Sequence, residues 1–151
     1  RRIEAIDPDL DLDRLSLPRI AHASIDVDFH HLDAEHLPFE DGRFDTVVST
    51  FTLCSIPDVV HALAEVRRVL RPGGQFLFLE HGRAPDHGVA RWQDRLNAAW
   101  MPLAGGCHLN RPVRELVTSA GLELGPVQQY YLKRTPRFVG YLTEGLARSS
   151  G

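Results

Sequence analysis

The period of hydrophobic and polar positions changes several times along the chain, and each change marks an element. Arg2 to Ile6 reads as a short strand that stops at Asp7-Pro8-Asp9, because proline ends pairing. Leu10 to Ser24 shows no clean period, and Pro18 breaks any long helix there. Ile25 to His30 alternates as Ile-Asp-Val-Asp-Phe-His, the period of a strand. A loop runs from Leu32 to Phe39, followed by the turn Glu40-Asp41-Gly42-Arg43. Phe44 to Phe51 is nearly continuous in apolar and β-branched residues, as a buried parallel strand requires.

Pro57-Asp58 then opens a helix whose apolar face carries Val59, Leu63, Val66 and Leu70. Arg67, Arg68 and Arg71 crowd its last turn, where positive charge suits the helix dipole. Pro72-Gly73-Gly74 is expected to stop it. Gln75 to Glu80 reads as the next buried strand. Val89 to Trp100 predicts a helix carrying Trp92, Leu96 and Trp100, and Met101 to Asn110 a glycine-rich loop. Arg111 to Ala120 predicts a further helix, stopped by Gly121. Glu123 to Tyr131 and Phe138 to Leu142 are the last strands, and the Arg-Ser-Ser-Gly end is expected to fray. Strands that alternate with helices predict an α/β layer structure with a mainly parallel sheet, organised as one domain over residues 1–151.

Composition narrows the partners more than the fold. A net charge of −3 gives no general attraction to nucleic acid or anionic membrane, and the arginines are dispersed. No apolar run approaches the ~20 residues that span a bilayer, and no apolar region follows Arg1-Arg2-Ile3-Glu4 as in a signal peptide. Cys54 and Cys107 show no CxxC or zinc spacing, so reduced thiols in a cytoplasmic protein are the simplest reading.

In such sheets ligands sit beyond the carboxyl ends of the strands, which singles out Asp7, the Asp33 loop and the segment Ser49 to Ser55. Asp7 could accept the vicinal hydroxyls of a ribose, although Asp-Pro-Asp is also ordinary turn chemistry. Asp33 could accept from an adenine amino group, with Ala34 beside it, or belong to a solvated loop with Phe39 plugging the core. Ser49, Thr50 and Phe51 could border a ligand or simply end a strand. Glu80-His81 ends the next strand, and Cys107-His108 lies in the glycine-rich loop. Cys and His allow a nucleophile with its base, or a metal site built with His81, but loop and core roles are expected and no metal is assigned. Trp92, Trp100 and Phe51 are expected in the core.

Taken together, the ordered motifs say more than any one of them. Asp33-Ala34-Glu35-His36-Leu37-Pro38-Phe39, Arg43-Phe44-Asp45-Thr46-Val47-Val48-Ser49 and Ala64-Glu65-Val66-Arg67-Arg68-Val69-Leu70-Arg71-Pro72-Gly73-Gly74 occur in sequence. This resembles the class I S-adenosylmethionine-dependent methyltransferases, in the branch near the ubiquinone/menaquinone C-methyltransferases. Leu79-Glu80-His81, Arg91-Trp92-Gln93 and Gly106-Cys107-His108-Leu109-Asn110-Arg111 resemble the methyltransferase-like 7 subgroup, associated with thiol methylation.

The resemblance implies a Rossmann-like sheet, mainly parallel with an antiparallel C-terminal strand. S-adenosylmethionine would be the cofactor, and S-adenosylhomocysteine its product. Asp7 and Pro8 would hold the ribose, Asp33 and Ala34 the adenine, and Ser49, Thr50 and Phe51 the methionine side. Glu80, His81 and the segment from Arg83 to Asn110 would border a small, partly apolar acceptor: a thiol, a phenol or an activated carbon. No catalytic base can be named; His81 and His108 are more readily structural.

One departure matters. In the family a strand with a glycine-rich turn precedes the ribose-binding acid, whereas Asp7 is reached here after six residues. That strand lies centrally, between the Asp7 strand and the Phe44 strand, so the expected sheet is N-terminally incomplete with unpaired edges. Three explanations stand open: a fragment of a longer gene product, a homodimer that completes the sheet by exchange, or direct re-pairing of the strands. The alternative function is then a non-catalytic domain for self-association or partner binding.

Overall fold

The computed structural model describes residues 2–8, 18, 20–22 and 24–150. Most of the stretch from Leu10 to Ser24 lies outside these residues.

Six strands fall into two sheets. β1 (Arg2–Ile6) pairs in parallel with β2 (Asp26–His30), Arg2 lying opposite Asp26 and Ile6 opposite His30. β3 (Phe44–Thr50) pairs in parallel with β4 (Leu70–His81). β5 (Leu122–Tyr131) and β4 both pair antiparallel with β6 (Tyr141–Ser149). The larger sheet is therefore ordered β3-β4-β6-β5, with β6 the reversed strand. This is the α/β, mainly parallel arrangement that the alternating pattern predicts.

The helices that lie wholly among the described residues are α1 (Val59–Val69), α2 (His87–Leu103) and α3 (Val113–Ser119). The Asp58 side chain caps α1 by accepting the His61 N–H at 3.0 Å. The core forms where α1 and α3 cover one face of the larger sheet. Leu63 and Val66 of α1 and Val113 and Val117 of α3 pack with Phe76, Phe78, Leu122 and Ala147. On the open face Val48 and Leu77 stay exposed, and with Ser49, Thr50, Leu79 and Leu146 they line a groove of about 390 Å³.

Two expectations from the pattern need correction. Pro72-Gly73-Gly74 does not separate helix from strand. Leu70 already pairs with Phe44, and the register then jumps to Gln75 opposite Thr46. The intervening residues bulge out of the ladder, with Gly73 at φ 74°. The last strand is not Phe138 to Leu142 but Tyr141–Ser149, and residues 138–140 lie in a turn closed by the N–H groups of Val139 and Gly140 on Pro136 O. Nor does Arg148-Ser149 fray: Arg148 lies between Gln75 and Glu123, and Ser149 pairs with Leu122. Thr143 to Ser149 lacks strand-like alternation because β6 is paired on both sides. Gly145 is fitted to that position, since a Cβ there would lie 2.9 Å from Phe78 Cζ and 2.8 Å from Val127 Cγ2.

Among the described residues, β1 and β2 share no ladder with β3. Side chains join the two sheets instead. Glu4 of β1 accepts from His30 at 2.7 Å and from Arg43, just ahead of β3, at 2.9 Å. Phe39 is buried between them, its ring edge-on to His30 at 5.4 Å and to Phe44 at 5.0 Å.

Candidate active site

The carboxyl ends of β1 and β2 bring two acidic positions together. Asp7 follows β1 and donates its N–H to His30 O, at the end of β2, over 3.2 Å. Pro8 beside it is exposed. Asp33 follows β2, and its Oδ1 accepts the N–H groups of Glu35 (3.1 Å) and His36 (3.2 Å). This turn leaves the carboxylate exposed and holds Ala34 half-buried.

The Asp33 loop does not float. Glu65 and Arg68 of α1 grip it from below. Glu65 Oε2 accepts the Leu37 N–H at 2.9 Å, while Arg68 donates to Leu37 O, Phe39 O and Asp41. Arg68 also binds both oxygens of Glu65, at 2.6 and 2.8 Å. Those bonds draw the Glu65 carboxyl down to a pKa of about 2. Glu35 adds a second tie by accepting the Asp58 N–H at 2.7 Å. The sequence pattern treated Arg68 as a partner for the helix dipole and did not show that it reaches carbonyls 29 and 31 positions away.

Ser49, Thr50 and Phe51 belong to the other sheet, at the end of β3. A backbone N–H from Phe51 to Leu79 O closes the ladder there at 2.9 Å. Phe51 adopts φ 51°, a left-handed backbone that bulky residues rarely accept, and its ring is 50% exposed rather than in the core. Trp92 is likewise corrected: it stands on the outer side of α2, 58% exposed.

Glu80 explains how the strained turn is held. Its carboxylate is fully buried and accepts Ser49 Oγ (2.7 Å), Thr52 N–H (3.1 Å) and Leu53 N–H (3.2 Å). Burial pushes its pKa up, against the pull of these donors and of Arg111. Arg111 fastens the same turn from the other side through Leu53 O and, at 2.6 Å, Ile56 O. Glu80 thus shapes the strand-end turn and does not line an open acceptor site.

Beside this turn, His81 Nε2 lies 2.9 Å from Cys107 Sγ, while His81 Nδ1 is buried without a partner. Burial lowers the His81 pKa, which keeps the ring neutral. Cys54 and Cys107 are both free thiols. His108 turns away to Asn97, at 3.3 Å, and its pKa is lowered by burial and then by Arg111. Gln93 of α2 is fully buried and ties three backbone groups, Ala84 N–H, Gly82 O and Phe138 O, at 2.9, 2.9 and 3.1 Å.

Two carboxylates at neighbouring strand ends suit a ligand with a ribose and an aminopurine. The strand-end turn at Ser49 to Phe51 offers a further wall. No glycine with positive φ lies at the carboxyl end of β1, β2 or β3 among the described residues: those with positive φ are Gly42, Gly73, Gly105, Gly106 and Gly121. The described residues supply no glycine cradle at these strand ends.

Comparison with known proteins identifies the family and the fold. The family described as "Methyltransferase domain" matches residues 1–78. The human thiol S-methyltransferase TMT1A is 35% identical over 125 residues, 73% of this chain and 47% of that protein. The ubiquinone/menaquinone biosynthesis C-methyltransferase of Pseudomonas putida (strain GB-1) is 39% identical over 79 residues, 52% of this chain and 31% of that protein. The chain thus spans less than half the length of these relatives. Among solved structures, a SAM-dependent methyltransferase from Methanosarcina mazei superposes with a TM-score of 0.75 at 19% identity, covering 99% of this chain and 82% of that one. The [4+2]-cyclase SpnF superposes at 0.72 with 20% identity, over 99% and 66% of the two chains. Likeness at this identity shows the fold alone.

Proposed function

Because the chain belongs to the methyltransferase-domain family, we propose that it serves S-adenosylmethionine-dependent methyl transfer to a small, partly apolar acceptor, a thiol ahead of a phenol or an activated carbon. The observation that carries the thiol is the extent of the match. Identity to the thiol S-methyltransferase runs over 125 residues, against 79 for the C-methyltransferase.

When bound, the cofactor supplies a methyl group activated on a sulfonium. The residues of this chain bind and orient. Asp7, with Pro8 in the same turn, accepts the ribose hydroxyls. Asp33 accepts the adenine amino group on the oxygen that its turn leaves open, and Ala34 borders the ring. Ser49, Thr50 and Phe51 border the methionine side, on a turn stiffened by Glu80 and Arg111. Rate enhancement in this reading comes mainly from holding the acceptor in line with the methyl group. A thiol acceptor must also lose its proton, and no side chain is assigned to take it.

Calorimetric titration with S-adenosylhomocysteine tests the binding part. Asp33→Ala is expected to weaken affinity ~10- to 100-fold by removing an acceptor to a neutral donor and loosening its turn. Unchanged affinity would remove Asp33 from the site. A second reading, self-association without catalysis, is favoured by the unpaired edge of β3. A chain that dimerises in sedimentation without binding S-adenosylhomocysteine would establish it in place of the first.

A further inference from the structure

Three segments distant in sequence deliver two thiols and one imidazole to a single point. Cys54 comes from the turn after β3, His81 from the end of β4, and Cys107 from the loop after α2. Their ligand atoms all lie within 4.8 Å of one another. Cys54 is buried at 3% exposure, while His81 and Cys107 are half-buried.

Beside the His81 to Cys107 contact and the Cys54 thiol's own contacts with Phe51 O (3.7 Å) and Ser55 Oγ (3.5 Å), bonds from neighbouring groups hold the three segments together. His108 donates its N–H to Cys54 O at 2.8 Å, which clips the Cys107 loop to the Cys54 turn. Cys107 N–H closes its own turn on Ala104 O at 3.1 Å. Glu80 holds the Leu53 N–H and Arg111 the Leu53 carbonyl, one residue before Cys54. Gly106 at φ 83° lets the loop approach Ser55 O, 3.6 Å from where a Cβ would stand. A cluster held this firmly by its surroundings is preorganised, which is what a metal site needs and a chance meeting of side chains lacks.

We infer that Cys54, His81 and Cys107 form a binding site for one borderline-soft divalent ion of the zinc class, with a fourth coordination position open. The chemistry of the set supports that class of ion, since thiolate and imidazole select zinc over calcium or magnesium. The geometry does so as well. Around a tetrahedral zinc, bonds of roughly 2.0–2.3 Å place neighbouring ligand atoms about 3.5–3.8 Å apart. The three ligand atoms already lie within 4.8 Å of one another, and His81 Nε2 and Cys107 Sγ, now 2.9 Å apart, would open to that spacing as the ion enters between them. Uptake is charge-balanced: the ion takes the imidazole lone pair and two thiolates, and two protons leave to solvent. Three protein ligands leave one position for water or for a soft ligand from outside. The inference does not depend on the methyl-transfer reading, because it concerns the chain with the ion alone.

The test is a titration of the reduced, full chain with Co²⁺ in the absence of oxygen, followed by displacement with Zn²⁺. One equivalent should bind, with a thiolate-to-metal charge-transfer band and strong visible bands of a four-coordinate ion. Zn²⁺ should abolish both. Cys107→Ser and His81→Ala, checked for folding by circular dichroism, should each lower Zn²⁺ affinity at least ~100-fold against a chromophoric chelator. Cys107 is the preferred position, because substitution of the buried Cys54 risks the fold. Folded, reduced protein that takes up no cobalt would overturn the site. So would a spectrum without thiolate charge transfer, or Zn²⁺ affinity unchanged in both variants. Rapid formation of a Cys54–Cys107 disulfide in air despite saturating Zn²⁺ would also count against it, since coordinated thiolates resist oxidation.

Discussion

Glu65 and Arg68 decide more of the site's shape than the residues expected to touch a ligand. The Glu65 pKa, drawn to about 2, gives a signed expectation. A lowered folded-state pKa contributes stability above the unfolded value, here 4.5, and loses it as pH falls through about 2. Glu65→Gln should therefore cost roughly 1–2 kcal/mol at neutral pH, after allowance for the partial exposure of Arg68. Chemical denaturation across that pH range should show the difference vanish near pH 2. Glu80 runs the other way. Its raised pKa contributes stability below 4.5 that is lost as pH rises through the folded value. Glu80→Gln should nevertheless destabilise by about 1–3 kcal/mol, because an amide N–H₂ would face the N–H of Thr52 or Leu53. Urea unfolding followed by fluorescence reads that loss. The sequence placed Asp58 at the opening of a helix and Asp33 in a loop after a strand, and both act within three residues of themselves. Arg68, Glu80 and Arg111 act across tens of residues, and no local pattern marks which carbonyls they will meet.

Helices and strands were legible wherever one face alternated with another. β2 carries that signal, β3 a nearly continuous apolar and β-branched run, and the observed limits of β1, β2 and β3 differ from the pattern by at most a residue. β6 was misplaced because its small residues answer to their neighbours rather than to β propensity: Gly145 to Phe78 and Val127, Ala147 to Phe76 and Leu124. At α2 the deciding residue is polar. Gln93 ties the helix to the segment after β4 and to the turn before β6, so Gln93→Leu strands one N–H and two carbonyls in the interior. A loss of about 2–4 kcal/mol is expected, read as a lower thermal midpoint. Gly82 belongs to the same junction. A Cβ there would stand 2.4 Å from Arg111 O, so Gly82→Ala should push Arg111 off the strand-end turn and destabilise the chain detectably in the same melt.

Across the whole molecule, the ladder is broken between β1-β2 and β3. The break lies where the family resemblance led us to expect a further strand, and nothing in the composition hinted that side chains would bridge it. Hydrogen exchange should separate the two parts. Amides of β4 and β6, paired on both sides, should exchange slowest, and those of β1 and β2 faster, because Phe39 and the Glu4 bridge are their main ties to the larger core. Equal protection in both sheets would mean that they open as one unit. The same break has a practical side. Among the described residues, the edge of β3 is open beside a separately formed β1-β2 pair, so a synthetic β-strand peptide added in trans should dock there and slow amide exchange in β3.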